Sequence, residues 1–300
     1  MVSPTRVGVS FSIKQCRAFQ ISPVETLNWL LHDTGFRRFR LMSYWNEHET
    51  QPGQYDFSAL DMQINLIAQA GGQVTLCLGA RQPRWPENHW PDWAWDLPKK
   101  ERTKVLLRYV QAVVERYKHQ AVIISWQLEN EALLKDFGRR AEVDRKRLRS
   151  EYKLVKTLNP TRPIIMSTSN GWGVPLRKPI PDIVGFSYYV VMFRKGKYRK
   201  TIHRPWLYKL RRSFIRFWWG KPVSIHELQC EPWGPDAIWK MSLEEQAKSM
   251  NPKQIAKIIK DAKSIGAYPI DLWGAEWWYW RLKRHDDPTI WDAVRGSITT

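Results

Sequence analysis

The segment VIISWQLENE, residues 122–131, shows the pattern on which the fold assignment depends. The apolar run Val122–Leu128 is typical of a strand buried in a parallel sheet, and acidic residues follow it directly. Amphipathic stretches that we predict to be helices lie on either side, at Lys99–Tyr117 and Arg140–Leu158. A helix, a buried strand and a second helix in this order indicate an α/β protein.

The same alternation continues along the rest of the chain. Eight strands are predicted, at Val7–Phe11, Phe36–Met42, Gln73–Leu78, Val122–Leu128, Pro163–Ser167, Ile183–Ser187, Pro222–Ile225 and Ile270–Ala275. Four further helices are predicted, at Pro23–His32, Ser58–Ala70, Trp206–Trp218 and Pro252–Ile265. Because the sequence contains no Gly-rich phosphate loop, we expect a closed (β/α)8 TIM barrel rather than a doubly wound sheet. The 300 residues fit one such barrel, so residues 1–300 are predicted to be a single domain.

Two features of the composition are unusual, a formal net charge of +19 and 18 Trp residues. Exposed Trp rings commonly stack on sugars, although each single Trp is better explained as packing between helices and barrel. The charge predicts a field that attracts anions, such as acidic glycans or a membrane surface. Helix-turn-helix, zinc-finger and RNA-binding signatures are absent from the sequence, so no specific nucleic-acid partner is expected.

The three cysteines, Cys16, Cys77 and Cys230, are widely spaced and form no CxxC pattern. This spacing argues against a disulfide framework and a structural zinc site, and reduced thiols are typical of the cytoplasm. The first residues do not read as a signal peptide, and no apolar stretch is long enough to span a membrane. We therefore expect a cytoplasmic protein without a metal ion or other cofactor.

Carboxylates follow the fourth and seventh predicted strands, where a (β/α)8 barrel carries its reactive groups. Glu129 and Glu131 come after the fourth strand, and Glu227 and Glu231 come after the seventh. Glycoside hydrolysis uses two carboxyl groups, which lie about 5 to 5.5 Å apart in retaining enzymes. Strands four and seven face each other across an eight-stranded barrel, so this pair can converge. Salt bridges to Arg and Lys residues at the rim are the alternative explanation for each single glutamate.

These motifs resemble those of the clan A glycoside hydrolases, which are barrel enzymes with catalytic glutamates at the ends of strands four and seven. The pair Asn130-Glu131 resembles the Asn-Glu pair of the clan. The resemblance implies that Glu131 is the general acid/base, that Asn130 binds the sugar 2-hydroxyl and that Glu227 is the nucleophile. It covers residues 7 to 280, and its strength lies in the order and spacing of the motifs along the chain.

The resemblance also implies roles for residues after other strands. Arg40 occupies the position of a strand-two Arg that hydrogen-bonds the nucleophile, and Tyr189, in Tyr188-Tyr189, occupies that of a Tyr contacting it. Trp273 and Trp277 lie where the clan often places the Trp that floors the innermost sugar subsite.

Some assignments remain open at this point. Glu129 would share a face with Glu131 if the fourth strand continued that far. We select Glu227 over Glu231 because Glu227 directly follows an apolar run, whereas Glu231 precedes Pro232. Arg81, Gln82 and Trp85, in the loop after the third strand, are candidates for contacts to sugar hydroxyls, and rim salt bridges are an equal alternative.

The predicted function is therefore that of a retaining, metal-independent β-glycosidase acting on oligosaccharides, polysaccharides or smaller glycosides. One alternative is a transglycosylase on the same scaffold. Another is a non-catalytic barrel protein that binds carbohydrate or a membrane surface. The second alternative rests on an amphipathic segment whose apolar residues would share one helix face, namely Trp206, Leu207, Leu210, Phe214, Phe217 and Trp218. Lys209, Arg212 and Arg216 lie elsewhere on that helix, which fits a lipid interface. The simpler interpretation, which we favour, is that the apolar face packs on the barrel.

Overall fold

A computed structural model describes residues 6–134, 137–139, 142–167, 174–202 and 204–299. Its strands are β1 (Val7–Phe11), β2 (Arg38–Met42), β3 (Gln73–Leu78), β4 (Ile123–Leu128), β5 (Ile164–Ser167), β6 (Ile183–Tyr188), β7 (Val191–Arg194), β8 (Lys197–Lys200), β9 (Val223–Gln229) and β10 (Ile270–Trp273). Eight of them form a closed barrel in the order β1-β10-β9-β6-β5-β4-β3-β2, and β7 and β8 form an antiparallel hairpin. The predicted fold class, a (β/α)8 TIM barrel, is confirmed.

The α-helices are α1 (Ile13–Ala18), α2 (Pro23–Asn28), α3 (Trp45–His48), α4 (Ser58–Gln69), α5 (Asp92–Trp95), α6 (Lys99–Tyr117), α7 (Arg145–Leu158), α8 (Pro205–Trp219), α9 (Leu243–Ser249), α10 (Pro252–Ile265), α11 (Ala275–His285) and α12 (Thr289–Thr299). The predicted bounds of α6 and α10 are confirmed. Helix α7 begins at Arg145 because Asp144 caps it, accepting the backbone N–H groups of Lys146 and Arg147. Arg140, where we had predicted its start, lies outside the described residues.

Contacts along the chain divide it into two compact units, which we describe separately. One unit comprises the residues up to Phe39 together with those from Phe186 onward, and the other comprises Arg40–Gly185. The prediction of a single domain over residues 1–300 stays a prediction.

In the unit Arg40–Gly185, helix α6 buries a regular apolar stripe. Its buried residues recur with the spacing of an amphipathic helix, namely Val105, Leu106, Tyr109, Val110, Val113, Val114 and Tyr117. Strand β3 pairs in parallel with β4, and β4 pairs with β5. Strands buried on both faces need continuous apolar runs, which explains why the sequence pattern located them well.

In the other unit, β1 pairs with β10 and β10 pairs with β9. The pairing with β10 moves from Ile225 opposite Ile270 to Leu228 opposite Leu272, so β9 carries one extra residue at His226 and Glu227. Such a bulge re-aims side chains and is common next to active sites. The predicted end of this strand at Ile225 is wrong, because the buried strand continues to Gln229.

Helix α8 packs through a different face from the one that we had favoured. Tyr208 and Ile215 are its buried residues, whereas Trp206, Phe214 and Trp218 are exposed. The expectation that its apolar face packs on the barrel is therefore wrong. Among the described residues, no helix is long and apolar enough to cross a membrane.

Most tryptophans of known placement serve the packing of the fold. Nine described Trp residues are buried, namely Trp29, Trp45, Trp90, Trp126, Trp273, Trp277, Trp278, Trp280 and Trp291. The large exposed ones are Trp85, Trp206, Trp218 and Trp239. A fully buried ring offers no face to a ligand, so the high Trp content is mainly a structural feature.

Candidate active site

The carboxylate of Glu129 binds the loop after β3. Its Oε1 accepts the backbone N–H of Ala80 at 3.0 Å, and its Oε2 accepts that of Arg81 at 2.7 Å. The side chain lies so close to Gly79 that any Cβ there would come within 2.6 Å of Oε1. Glu129 is buried, so this carboxylate holds two loops together and is not available to a substrate.

The buried side chains of Arg147 and Glu151 lie next to Glu129. An Arg147 Nη2 lies 3.9 Å from Glu129 Oε1, and Arg147 Nε donates to Glu151 Oε1 at 3.1 Å. Burial, together with the negative charge of Glu129, raises the pKa of the Glu151 carboxyl well above its usual range. Arg147 therefore lies next to two buried carboxyl groups, and the negative charge of Glu129 disfavours ionisation of Glu151.

Asn130 has a fixed side chain. Its Oδ1 accepts from Arg40 Nη2 at 3.1 Å and from Gln127 Nε2 at 3.2 Å, and its Nδ2 donates to Glu87 Oε2 at 3.1 Å. Arg40 Nε also donates to Gln127 Oε1 at 2.7 Å. These three partners lie in the same unit as Asn130 and fix the orientation of its carboxamide. The second hydrogen on Nδ2 gives Asn130 a directed donor for a ligand hydroxyl.

Glu131 differs from Glu129 in that its side chain is only half-buried. Its backbone N–H donates to Ser167 Oγ at 2.8 Å. Both glutamates have a φ of 45°, in the left-handed region that non-glycine residues rarely adopt. Backbone strain of this kind clusters at functional sites, and here it occurs at the two acidic residues on either side of Asn130.

The loop after β3 separates into a buried and an exposed part. Arg81 is buried, and its terminal nitrogens donate to the carbonyls of Leu134 and Phe137 at 2.7 and 3.0 Å. Gln82 is buried as well, and its Nε2 donates to the Ser43 carbonyl at 2.6 Å. Because their donors bind backbone, Arg81 and Gln82 are not among the proposed substrate contacts. Trp85 is 63% exposed, and its ring meets that of Phe137 edge-on at 6.5 Å. It remains the aromatic candidate of this loop.

Glu227 lies within β9 and is buried together with the rest of that strand. The Tyr189 hydroxyl donates to Glu227 Oε2 at 3.1 Å. This hydrogen bond fixes the position of one carboxylate oxygen. The Tyr189 ring packs edge-on against Trp233 at 5.5 Å, which positions the hydroxyl.

Gln229 anchors the root of the hairpin next to Glu227. Its Oε1 accepts the backbone N–H groups of Val190 and Val191 at 2.8 and 3.1 Å, and its Nε2 donates to the Val191 carbonyl at 2.6 Å. Glu231, the alternative to Glu227, follows the strand, and its Cβ would lie 2.8 Å from a Cβ added at Gly274. Tyr189 directly follows β6, and the two residues after it are hydrogen-bonded to Gln229 of β9.

The two tryptophans predicted near the innermost sugar subsite differ in structure. Trp277 is fully buried on α11, and its indole N–H donates to Gln246 Oε1 at 2.8 Å. Its ring offers no face to a ligand, so we leave it out of the proposed site. Trp273 ends β10, where a barrel carries its functional groups, and stays in the proposal.

Sequence reasoning missed Glu87, the acceptor for Asn130 Nδ2. It lies in the loop after β3, is buried and has a φ of 68°. A glutamate in an irregular loop gives no periodic signal, and only the neighbouring Pro86 and Asn88 mark the turn.

Within the described part of the chain, no group of three or more His, Cys, Asp or Glu side chains could hold a metal ion.

Comparison with known proteins finds that a part of the chain that includes Asn130 and Glu131 is similar to a glycosidase family. Residues 29–162 match the family model of the β-galactosidases of glycoside hydrolase family 42. β-Galactosidase 11 of Arabidopsis thaliana is 31% identical over 118 residues, which cover 32% of this chain. The chain spans only 14% of the length of that relative.

Solved structures share the fold at low sequence identity. An endo-β-1,4-xylanase of family 10 from Gloeophyllum trabeum is 13% identical with a TM-score of 0.66, covering 99% of this chain and 97% of the xylanase. A β-galactosidase from Halorubrum lacusprofundi is 15% identical with a TM-score of 0.56, covering 89% of this chain and 52% of that enzyme. The family match and the closed eight-stranded parallel barrel together confirm that the chain resembles the clan A glycoside hydrolases.

Proposed function

We propose that the protein is a retaining β-glycosidase in which Glu131 is the general acid/base and Glu227 the nucleophile. The observation that carries the proposal is the fixed side chain of Asn130 beside a half-buried Glu131, within the segment that matches a β-galactosidase family. The hydrogen bond from Tyr189 to the buried Glu227 carboxylate supports the second assignment. β-Galactosides are the first substrates to test, because the family and the curated relative carry that name.

In the first step of the proposed reaction, Glu227 attacks the anomeric carbon while protonated Glu131 gives its proton to the glycosidic oxygen. The bond from the anomeric carbon to that oxygen breaks, the aglycone leaves as an alcohol, and a glycosyl ester forms on Glu227. In the second step Glu131 takes a proton from water, whose oxygen displaces the Glu227 carboxylate. Two inversions leave the anomeric configuration retained.

Within this scheme, Asn130 donates its remaining Nδ2 hydrogen to the sugar 2-hydroxyl, and the Tyr189 hydroxyl holds the Glu227 carboxylate in position. Arg40 orients Asn130, and its predicted contact with the nucleophile stays a prediction. Trp85 and Trp273 are the proposed aromatic contacts to sugar rings.

Azide rescue tests the assignment of the nucleophile. Glu227→Ala should lose turnover of an aryl β-glycoside, and azide should restore part of it by entering the vacated volume. The product should be a glycosyl azide of inverted configuration, because only one displacement then occurs. Glu231→Ala serves as the matched variant, since Glu231 is the alternative carboxylate. Rescue of Glu231→Ala in place of Glu227→Ala would show that the nucleophile had been assigned to the wrong glutamate.

A further inference from the structure

Helix α8 carries an apolar surface that the fold does not cover. We call it the α8 stripe and define it as Trp206, Leu210, Phe214, Phe217 and Trp218. Phe217 is 82% exposed, Trp218 65% and Trp206 61%. Exposed large apolar groups that form a continuous patch mark an interaction surface, whereas scattered single ones need no explanation.

The stripe is continuous because of its helical spacing. At about 100° per residue, its five members fall within roughly 120° of the helix circumference. The helix packs on its own unit through the opposite side, with Tyr208 and Ile215 buried and the Tyr208 hydroxyl donating to the Ser187 carbonyl at 2.9 Å. Arg212 also faces inward and donates to the Ile265 carbonyl at 2.6 Å. The stripe therefore faces outward along the whole length of α8.

Cations border the stripe on both sides. Lys209 and Arg216 are exposed along one edge, and Arg211 lies along the other edge with its guanidinium over the Tyr208 ring at 5.2 Å. Residues 183–226 contain eleven Lys or Arg residues and no Asp or Glu, so this segment contributes more than half of the net charge of +19. An apolar face with aromatic residues between rows of cations has the pattern of a helix that lies in the plane of a membrane interface.

We propose that α8 binds the surface of an anionic lipid bilayer, with the α8 stripe in the headgroup and upper acyl region. Lys209, Arg211 and Arg216 contact lipid phosphates from either edge. Trp206 and Trp218 stand near the two ends of the helix, and Trp is favoured at the level of the headgroups. The site requires no part of the proposed glycosidase chemistry, so the two proposals stand or fall separately.

The charge distribution favours a lipid surface over a second copy of the chain. In a two-fold contact between stripes, each copy would meet the same surface of the other. The cations along the edges would then face cations, and residues 183–226 contain no carboxylate to neutralise them. An anionic bilayer supplies the complementary charge together with an apolar layer.

Vesicle sedimentation tests the proposal with the whole chain. The protein should sediment with vesicles of equal parts phosphatidylglycerol and phosphatidylcholine, and much less with phosphatidylcholine alone. Binding should weaken when salt rises from low to physiological, because exposed charges are screened within about 8 Å at that ionic strength. Phe217→Gln/Trp218→Gln should reduce the partition coefficient by more than about tenfold. Lys209→Gln/Arg216→Gln should reduce it by roughly 30-fold, or about fivefold for each cation.

The matched control is Lys253→Gln/Lys260→Gln, which removes two exposed cations from α10 and should leave binding close to that of the parent. Thermal melts should agree among all variants, since none of these side chains is buried. The proposal is overturned if the parent ignores anionic vesicles, or if the α10 control loses as much binding as the α8 variant. It is also overturned if light scattering finds a dimer that Phe217→Gln/Trp218→Gln dissociates while vesicles remain unbound.

Discussion

The structure separates two glutamates that are only two residues apart, which leads to opposite expectations for their variants. Glu129 accepts two backbone N–H groups and faces Arg147, whereas the half-buried Glu131 has its backbone N–H bound to Ser167. Glu129→Gln should therefore lower stability, and Glu131→Gln should lower activity. Each substitution replaces a carboxyl group with a carboxamide of the same size, so each is the control for the other.

The magnitude for Glu129→Gln follows from its contacts. A carboxamide offers one oxygen, so one backbone N–H would face an NH₂ group and stay unsatisfied at a cost of about 1–3 kcal/mol. The remaining bond becomes a weaker neutral one, and Arg147 loses its ionised neighbour. We expect the free energy of unfolding to fall by about 3 kcal/mol. With an unfolding entropy of about 0.6 kcal/mol/K for a chain of this length, the Tm falls by about 5 °C.

Glu131→Gln should change the free energy of unfolding by less than about 1 kcal/mol, because its side chain is partly solvated. It should lower kcat by about a hundredfold or more on substrates with a poor leaving group, which need an acid. Denaturant unfolding and thermal melts measure the first effect, and initial rates on an alkyl β-glycoside measure the second. A Glu129→Gln variant that is fully stable yet inactive, paired with a destabilised Glu131→Gln variant, would refute the separation of roles.

Three further predictions concern single residues outside that pair. Burial lowers the pKa of His48 to about 4, so the unfolded state binds more protons than the folded state between about pH 6.5 and 4. The free energy of unfolding should therefore fall by about 3 kcal/mol as pH drops through this range. Denaturant titrations should find this loss reduced in His48→Gln and unchanged in His119→Gln, which alters an exposed histidine; equal losses in all three proteins would contradict the assignment. Tyr189→Phe removes the donor to Glu227 and should lower kcat/KM by about tenfold to a hundredfold without changing the Tm, and full activity would argue against that contact in catalysis. Trp85→Ala should raise KM for oligosaccharides at constant Tm, and an unchanged KM would remove Trp85 from the substrate contacts.

The sequence predicted the barrel because its strands are buried on both faces. Continuous apolar runs between amphipathic helices are a strong signal, and the bounds of β1, β3, α6 and α10 needed no change. The polar residues that follow the predicted strands included Asn130 and Glu131, which lie just after the end of β4. They also included Tyr189, which donates a hydrogen bond to Glu227.

The details that sequence could not predict arise where tertiary contacts override local pattern. The apolar run of β9 appeared to stop at Ile225, because an inserted residue breaks the alternation at His226 and Glu227. Arg81 and Glu129 read as candidates for chemistry, yet buried backbone groups bind both. A loop that satisfies its own buried backbone groups uses the same residue types as an active site, so the sequence alone cannot distinguish a structural residue from a catalytic one.

The sequence predicted which residues form the apolar face of α8, but it did not predict that this face points outward. Periodicity places Trp206, Leu210 and Phe217 on one face, and the usual expectation is that such a face is buried. In the structure, Tyr208 and Ile215 pack inward instead. The sequence offers a second signal for an interaction surface. Residues 183–226, which include α8, contain no carboxylate, whereas solvent-facing helices usually carry charges of both signs.

Covalent trapping of the nucleophile tests the central claim most directly. A 2-deoxy-2-fluoro β-glycoside with a good leaving group slows the second step more than the first, so the glycosyl ester accumulates on the enzyme. Mass spectrometry of the intact chain should find one added sugar per molecule, and peptide mapping should place it on Glu227. A sugar attached to Glu231, or an unlabelled enzyme that turns over its substrate with inversion, would contradict the account.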